Sequence, residues 1–327
     1  MSRAISWRYL YELGALMTRA APPAVDLRTT IGVTELQNPI MTASGTAGYG
    51  DELAKYVALQ DLGAVVVKSQ GIEPWPGNPP PRVHETPGGM LNSVGLQGDG
   101  VKTWLADELP ALTRRGARVV ASIWGRTIAD YRAAAEVLHD APAAVVALEV
   151  NLSCPNLEGH TMFAQSPDDA SSVINEVVDA SSLPVWAKLT AHVTDILSVA
   201  SSVRDAGATA VTLINTLPGM VLDLDRRTPL LGAGGGGLSG PAIHPVAVRA
   251  VYDVHHALPD LPIVGVGGVA SGAAAVELML AGSSAVQVGT ANFADPRATS
   301  RVLTELAAWC DGHGVQKIVE LVGGGHD

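Results

Sequence analysis

A cysteine with polar neighbours is the most chemically suggestive group in this sequence. Residues 151–156 read Asn-Leu-Ser-Cys-Pro-Asn and directly follow a short apolar run. A free cysteine often serves as a small buried apolar side chain, and we favour that interpretation for Cys310. The polar neighbours of Cys154 make this role a poor fit there. A thiol with an ordinary pKa of about 8.5 is already partly thiolate at pH 7. Cys154 could therefore act as a base or nucleophile without an adjacent histidine, and a structural role is the alternative.

Lysine and amide side chains end other apolar runs in the same way. Lys68 and Lys188 each close such a run, and Asn215 and Thr216 follow a third. A lysine that ends a buried strand is costly unless its charge meets an anion, although a surface position is the alternative for both lysines. Lysines, amides and a cysteine that converge would suit an anionic, hydrogen-bonding ring substrate.

Two glycine-containing loops late in the sequence could hold a phosphate. Gly267-Gly268 and Gly289-Thr290 follow the last two apolar runs. Glycine lets backbone amides approach a phosphate closely, and the last two loops of a barrel commonly form such a site. Residues 265–270 also match G-x-G-x-x-(G/A), but they lie far from the N-terminus and lack the acidic residue expected about 20 positions later. Simple tight turns are the alternative.

Eight short apolar runs must position these groups. Each spans about four to eight residues, which is typical of buried strands, and segments with helical periodicity separate most of them. Alternating strands and helices in 327 residues predict an α/β protein with a single (β/α)₈ TIM barrel over residues 26–327, rather than a doubly wound sheet. The predicted strands are Pro39–Ala43, Ala64–Lys68, Arg118–Ile123, Val145–Asn151, Pro184–Leu189, Ala210–Asn215, Pro262–Gly267 and Ala285–Gly289.

Two segments stand outside this repeat. Residues 1–25 carry apolar and aromatic side chains and end at Pro22-Pro23, which predicts a helical extension packed on the barrel or on a second subunit. A helix at a membrane surface is the alternative. Residues 71–100 are rich in Pro and Gly and too long for a simple connection, and long loops of this kind are usually functional.

Composition excludes several classes of protein. The chain has 21 basic and 32 acidic residues, a net charge of −11, and no basic cluster, which argues against nucleic-acid binding. Two cysteines exclude a disulfide framework, and the nine histidines show no metal-binding spacing. Apolar runs are too short to cross a bilayer, and no secretory signal is recognisable, so we expect a cytoplasmic protein without a metal site. Because no side chain transfers a hydride, redox chemistry would need a phosphate-bearing cofactor.

Longer stretches, in order from about residue 26 to residue 300, carry a resemblance to a known family. They are Asn38–Gly50, Lys68-Ser69, Gly77–Val83, Met90–Gln97, Asn151–Asn156, Lys188, Asn215-Thr216, Gly236–Ala242 and Gly289–Phe293. In these motifs the sequence resembles dihydroorotate dehydrogenase, and most closely the catalytic subunit of class 1B. The resemblance implies an FMN-containing (β/α)₈ barrel that oxidises dihydroorotate to orotate in pyrimidine biosynthesis.

The resemblance also assigns roles to individual residues. Cys154 would be the base that removes the C5 proton while a hydride passes from C6 to flavin N5. The residues that would bind FMN are Ser44, Lys68, Ser69, Ser122, Asn151, Lys188, Ile214, Gly240, Gly267, Gly268, Gly289 and Thr290. Those that would hold the substrate are Lys68, Asn92, Ser93, Val94, Gly95, Leu96, Asn151, Asn156, Asn215 and Thr216. Ser122 stands where the family usually has an asparagine that contacts FMN.

Class 1B enzymes imply partners as well. The resemblance predicts a homodimer and an iron–sulfur/FAD subunit that passes electrons to NAD, with fumarate or quinone as alternative acceptors. Two other functions remain open from the sequence. One is a dihydropyrimidine dehydrogenase that acts on uracil-type rings, whose barrel domain is similar. The other is a flavin-binding electron-transfer scaffold that does not turn over dihydroorotate.

Overall fold

A closed ring of parallel strands forms the centre of the protein in a computed structural model that describes residues 25–152 and 162–326. Within these residues the eight strands are β1 (Ile40–Thr42), β2 (Val65–Val66), β3 (Val119–Ile123), β4 (Val145–Asn151), β5 (Val185–Lys188), β6 (Ala210–Leu213), β7 (Ile263–Val266) and β8 (Ala285–Val288). Their order around the ring is 1-8-7-6-5-4-3-2, and a bridge between Met41 and Ala64 joins the two ends. The predicted α/β class and (β/α)₈ barrel are confirmed.

Helices surround this ring. A continuous helix with a π-helical centre, α1, comprises Val101–Thr103, Trp104–Glu108 and Leu109–Arg114. The others are α2 (Ile128–Val137), α3 (Pro167–Ala180), α4 (Ile196–Asp205), α5 (His244–Ala257), α6 (Gly272–Leu280), α7 (Ala291–Ala294) and α8 (Ala298–Gly312). Two 3₁₀ turns, Glu52–Lys55 and Leu59–Asp61, connect β1 to β2, and others occur at Phe163–Gln165, Pro241–Ile243 and Ile318–Leu321.

Polar side chains fix where several of these helices begin. Thr127 accepts a hydrogen bond from the Asp130 amide, and Asp195 accepts bonds from the amides of Leu197 and Ser198. These bonds satisfy backbone donors that have no partner within the helix, so they set the start of α2 and α4. In the described residues no helix is long and apolar enough to cross a membrane.

Short strands cover the two ends of the barrel. A hairpin of Thr29–Ile31 and Thr34–Leu36 lies at the end where the strands begin, where Thr29 Oγ1 donates to the Ser284 carbonyl at 2.8 Å. At the opposite end, an antiparallel sheet has the order Leu217–Gly219, Gly236–Ser239, Gly89–Asn92 and Val83–Thr86. Beyond it lies a small pair, Leu222–Asp223 with Thr228–Pro229. The long insertion at residues 71–100 thus contributes a hairpin over the end where the strands finish.

The buried apolar side chains of the described residues form two clusters. The larger cluster lies between the strands and the surrounding helices. The smaller one fills the lower barrel, meaning the half where the strands begin, and consists of Ile31, Leu36, Met41, Ala64, Val66, Val120, Ala147, Trp186, Ala210, Val264 and Ala285. The helical extension predicted for residues 1–25 lies outside the described residues except for Val25, and it stays a prediction.

Candidate active site

A cavity of about 780 Å³ opens at the end of the barrel where the strands finish. Residues at the ends of β1, β2 and β4 to β8, or directly after them, line it together with residues of the covering sheet. Most of the residues expected to bind cofactor or substrate meet here: Ser44, Lys68, Ser69, Asn92, Val94, Gly95, Leu96, Asn151, Lys188, Ile214, Asn215, Thr216, Gly240, Gly267, Gly268, Gly289 and Thr290. Side chains that are far apart in the sequence therefore share one pocket.

Two of the described site residues, Ser93 and Ser122, do not line the cavity. Ser93 and Ser122 are fully buried behind the cavity wall, where the Ser93 hydroxyl accepts a hydrogen bond from Asn78 Nδ2 at 2.9 Å. Cys154 and Asn156 lie outside the described residues, so their roles stay predictions.

The floor of the cavity contains a buried lysine. Lys188, at the end of β5, is only 4% exposed, yet its side chain lines the cavity. Its Nζ donates to Ser44 Oγ at 3.1 Å and to Glu149 Oε1 at 3.2 Å. Lys188 therefore does not occupy a surface position, which was the alternative left open by the sequence. Because an ammonium ion is costly to bury alone, the carboxylate of Glu149 accounts for its position.

A row of amides and hydroxyls follows along one wall. Asn215 Nδ2 donates to Asn151 Oδ1 at 3.2 Å, and Asn151 Nδ2 donates to Ser69 Oγ at 3.3 Å. Ser69 Oγ lies 2.9 Å from Ser122 Oγ. The Tyr131 hydroxyl donates to the Asn151 carbonyl at 2.8 Å, which fixes the end of β4. Ser122 therefore supports the wall through Ser69.

The two glycine loops lie side by side at another wall. Gly267 has φ +139° and Gly268 φ +68°, and a Cβ on Gly268 would lie 2.7 Å from the Cβ of His244 and 2.8 Å from the Gly240 carbonyl oxygen. A side chain there would clash, so these glycines allow three loops to meet. Thr290 Oγ1 donates to Ser239 Oγ at 2.8 Å, which ties the loop after β8 to the covering sheet. Close packing and exposure of backbone to the cavity thus occur at the same glycines.

The segment 92–96 brings the insertion into the cavity in a constrained conformation. Gly95 and Leu96 have φ angles of +75° and +62°, and a left-handed backbone is unusual for leucine. Leu96 is 6% exposed and packs in the larger core cluster, which holds this conformation. Asn92 Nδ2 donates to the Gly237 carbonyl at 3.3 Å and links the segment to the covering sheet. The loop is therefore fixed over the cavity.

An arginine lies at the rim near the loop after β7. Arg301 of α8 lines the cavity, and its Nη1 donates to the Ala270 carbonyl at 3.1 Å and to Glu305 Oε1 at 2.9 Å. The hydrogen bond from Arg301 to Glu305 raises the pKa of the guanidinium. The pKa of Glu305 is lowered, mainly by a hydrogen bond from the Gly272 amide and then by Arg301. Arg301 therefore remains charged at this rim, in ion pairs with Glu305 and Asp295.

Sequence reasoning missed Glu149 and Arg301. Glu149 had a usable signal, because it is the single charged residue in the run Val145–Asn151 and lies two positions before Asn151. Alternation along a strand puts both side chains on the same face. Arg301 had none, because only the packing of α8 against the barrel brings it to the rim. Within the described residues, no group of three or more histidine, cysteine or acidic side chains could hold a metal ion.

Comparisons with known proteins agree with the resemblance found in the motifs. The sequence profile of the family described as dihydroorotate dehydrogenase matches residues 26–309. A relative named dihydroorotate dehydrogenase B (NAD(+)), catalytic subunit, from Desulforudis audaxviator is 48% identical over 292 residues, which cover 89% of this chain and 94% of the relative. Relatives of the same name from Geobacter metallireducens and Alkaliphilus oremlandii are 44% identical over 299 residues and 47% identical over 290 residues. The first alignment covers 91% of this chain and 97% of the Geobacter relative, and the second covers 88% of this chain and 95% of the Alkaliphilus relative. The chain belongs to the dihydroorotate dehydrogenase family.

Proposed function

We propose that this protein is the catalytic subunit of an FMN-dependent dehydrogenase that oxidises dihydroorotate to orotate in pyrimidine biosynthesis. The observation that carries the proposal is the cavity itself, which combines two lysines, a row of amides and two adjacent glycine loops at the strand ends of a barrel. In such barrels, the strand ends that carry these groups are where catalytic residues are found.

The cavity has the features that FMN needs. Its volume of about 780 Å³ is within the range of cofactor and ligand pockets. The loops at Gly267-Gly268 and Gly289-Thr290 would hold the phosphate, because their backbone borders the cavity without a side chain at the glycines. Ser44, Lys68, Ser69, Asn151, Lys188, Ile214 and Gly240 would contact the rest of the cofactor, with Ser122 behind Ser69. We propose FMN rather than FAD because these loops form one compact monophosphate site.

The chain's own residues would hold the substrate and remove a proton. FMN, when bound, would accept a hydride from C6 of dihydroorotate at N5 and so take up two electrons. The Cys154 thiolate removes the C5 proton, which the C4 carbonyl acidifies, and the C5–C6 double bond of orotate forms as the C6–H bond breaks. The thiol then returns its proton to water. Lys188 would offset the negative charge that reduction adds, an electrostatic effect that grows as the charge develops.

The remaining lining residues would orient the substrate ring. Lys68 would offset the carboxylate of dihydroorotate, and the amides of Asn92, Asn151, Asn156 and Asn215 would bond to the ring together with Thr216. Ser93, Val94, Gly95 and Leu96 would form the loop above it. Hydrogen bonds already order the wall, since Asn215 Nδ2 donates to Asn151 and Asn215 Oδ1 accepts from the Thr216 amide at 2.8 Å. A preordered wall lowers the cost of binding the ring in one orientation.

An electron acceptor and a partner complete the proposal. The relatives are named as catalytic subunits of an enzyme that uses NAD(+). We therefore propose that the two electrons reach NAD⁺ through a separate iron–sulfur/FAD subunit, and that the catalytic subunit is a cytoplasmic homodimer.

Turnover with defined substrates and acceptors tests the proposed function. The purified protein is assayed with dihydroorotate and with dihydrouracil, using NAD⁺, fumarate or a quinone as oxidant, and its cofactor is released and identified by chromatography. We expect FMN, and turnover of dihydroorotate alone. Turnover of dihydrouracil alone would indicate a dihydropyrimidine dehydrogenase, and FAD as the sole cofactor would contradict the assignment of the phosphate site.

A further inference from the structure

A carboxylate is buried inside the barrel directly beneath the cavity floor. Glu149 of β4 is 0% exposed, and each of its oxygens has a partner. Its Oε1 accepts from Lys188 Nζ at 3.2 Å, and its Oε2 accepts from Thr212 Oγ1 at 3.2 Å and from Gln287 Nε2 at 2.6 Å. The side chain is thus held from three strands, β5, β6 and β8.

Stability alone does not explain a charge at this place. Burying an ion pair costs desolvation that often equals its attraction, so apolar residues of similar volume would fill the barrel at least as well. Such residues occupy the barrel one layer below, where Trp186 and Val264 are fully buried. The ion pair instead lies where one partner, Lys188, reaches the cavity.

The network fixes the position of the ammonium group. Lys188 Nζ lies between Ser44 Oγ, which lines the cavity, and Glu149 Oε1 in the barrel. Thr212 and Gln287 hold the carboxylate in turn, so Glu149 cannot follow the lysine if the lysine moves. A flexible four-carbon side chain is thereby held in one place.

We propose that Glu149 is a positioning residue that holds the Lys188 ammonium at the cavity floor and, by partly compensating its charge, sets the midpoint potential of the bound flavin. The inference rests on the proposed function, because it needs the cofactor that we assign to this cavity. Charges interact strongly in a poorly hydrated interior, so the buried carboxylate would oppose the negative charge that reduction adds to a flavin in this cavity, whereas the lysine would favour it.

The direction of each effect follows from these charges. Glu149→Gln keeps the size but removes the negative charge and turns one accepting oxygen into an NH₂ donor, so it should raise the potential. Glu149→Gln combined with Lys188→Met removes both charges, and the two opposite effects should largely cancel. Glu176→Gln is the matched control, since Glu176 also forms an ion pair, with Arg132 at 2.6 Å, but on the helices outside the barrel.

The experiment measures the midpoint potential of the bound flavin in the holoprotein by dye equilibration, with chemical reduction and without dihydroorotate. For Glu149→Gln we expect the ratio of affinities for reduced and oxidised cofactor to rise about tenfold, which corresponds to about 30 mV for two electrons. Glu176→Gln should have the wild-type potential, and the double variant should stay within about threefold of the wild-type ratio.

Each outcome decides the inference. A Glu149→Gln holoprotein with the wild-type potential contradicts it. If that variant does not fold, the double variant decides. A fall of about tenfold in its ratio of affinities for reduced and oxidised cofactor would mean that Glu149 does not compensate Lys188, and would contradict the inference. A holoprotein that shows the predicted shifts but does not oxidise dihydroorotate would contradict the proposed function and support this inference. A chain that binds no flavin contradicts both.

Discussion

The two halves of one barrel differ in what fills them. The lower barrel is apolar, with Met41, Val120 and Trp186 fully buried under the N-terminal hairpin. The upper barrel holds Glu149 and Lys188 and opens into the cavity.

The same strands supply both halves, because side chains two residues apart point to the same face. On β5 the interior residues are Trp186 and then Lys188, and on β4 they are Ala147, Glu149 and Asn151. Two residues further along the same face of a strand, the side chain therefore lies at the cavity and no longer in the apolar core. The lower half is thus closely packed and apolar, and the same strands hold a buried ion pair in the upper half.

The largest effect is expected in the upper half, at the proposed base. Cys154→Ser should slow flavin reduction by dihydroorotate by about 10²- to 10⁴-fold at pH 7, because a hydroxyl is a far weaker acid than a thiol. Raising the pH should restore part of the rate. Stopped-flow bleaching of the flavin from pH 6 to pH 10 measures this, with Cys310→Ser, buried in α8, as the control expected to react at the wild-type rate. If the flavin of the Cys154→Ser protein is reduced at the wild-type rate at pH 7, Cys154 is not the base.

The lower half should respond in stability. Trp186→Ala removes a large, fully buried side chain from the smaller core cluster and should lower the free energy of unfolding by about 3–5 kcal/mol. Urea unfolding of the apoprotein measures the loss. Lys188→Met, two residues further along β5, is the matched change in the upper half. It leaves the buried Glu149 without its cation, so it should also lower stability, but it should slow flavin reduction more than Trp186→Ala does. A Trp186→Ala protein that reduces its flavin as slowly as Lys188→Met, or more slowly, would remove the distinction between the halves.

A smaller effect is expected behind the cavity wall. Ser122→Ala deletes the hydroxyl that bonds to Ser69. Loss of this hydrogen bond should lower the free energy of unfolding by about 0.5–1.5 kcal/mol and weaken FMN binding by up to about tenfold. Titration of the apoprotein with FMN, followed by quenching of flavin fluorescence, gives the dissociation constant. An unchanged constant would mean that Ser69 holds its position without Ser122.

The smallest effect should occur at the partly exposed rim of the cavity, where Glu305 accepts a hydrogen bond from Arg301. The pKa of Glu305 is lowered in the folded protein, first by the Gly272 amide and then by Arg301, so Glu305 stabilises the fold above its unfolded pKa and loses this contribution as the pH falls. The side chain is 39% exposed, and solvent screening limits the effect. Glu305→Gln should lower the melting temperature slightly at pH 7 and not at pH 3. An equal loss at both pH values would contradict the electrostatic explanation.

The sequence was most informative about the barrel and least informative about contacts across it. Strands of a parallel barrel are buried on both faces, so they appear as continuous apolar runs, and all eight were located. The hairpin at Thr29–Leu36 was not predicted, although Gly32 between two alternating segments is a recognisable turn signal.

Site residues were predictable where they end a strand and obscure where tertiary packing places them. Lys68, Lys188 and Asn215 could be found in this way, because strand ends meet at one edge of the barrel. Ser122 also closes a strand region, but its short side chain stops at Ser69, which no local pattern could show. Arg301 reaches the cavity from an outer helix, and only the folded arrangement reveals it.

Anaerobic titration of the holoprotein with dihydroorotate measures whether the upper barrel binds a flavin and transfers two electrons to it from this substrate. We predict stepwise bleaching of the flavin absorbance as dihydroorotate is added, with one orotate formed for each flavin reduced. A flavin that dithionite bleaches but dihydroorotate leaves oxidised, with no orotate formed, would contradict the account.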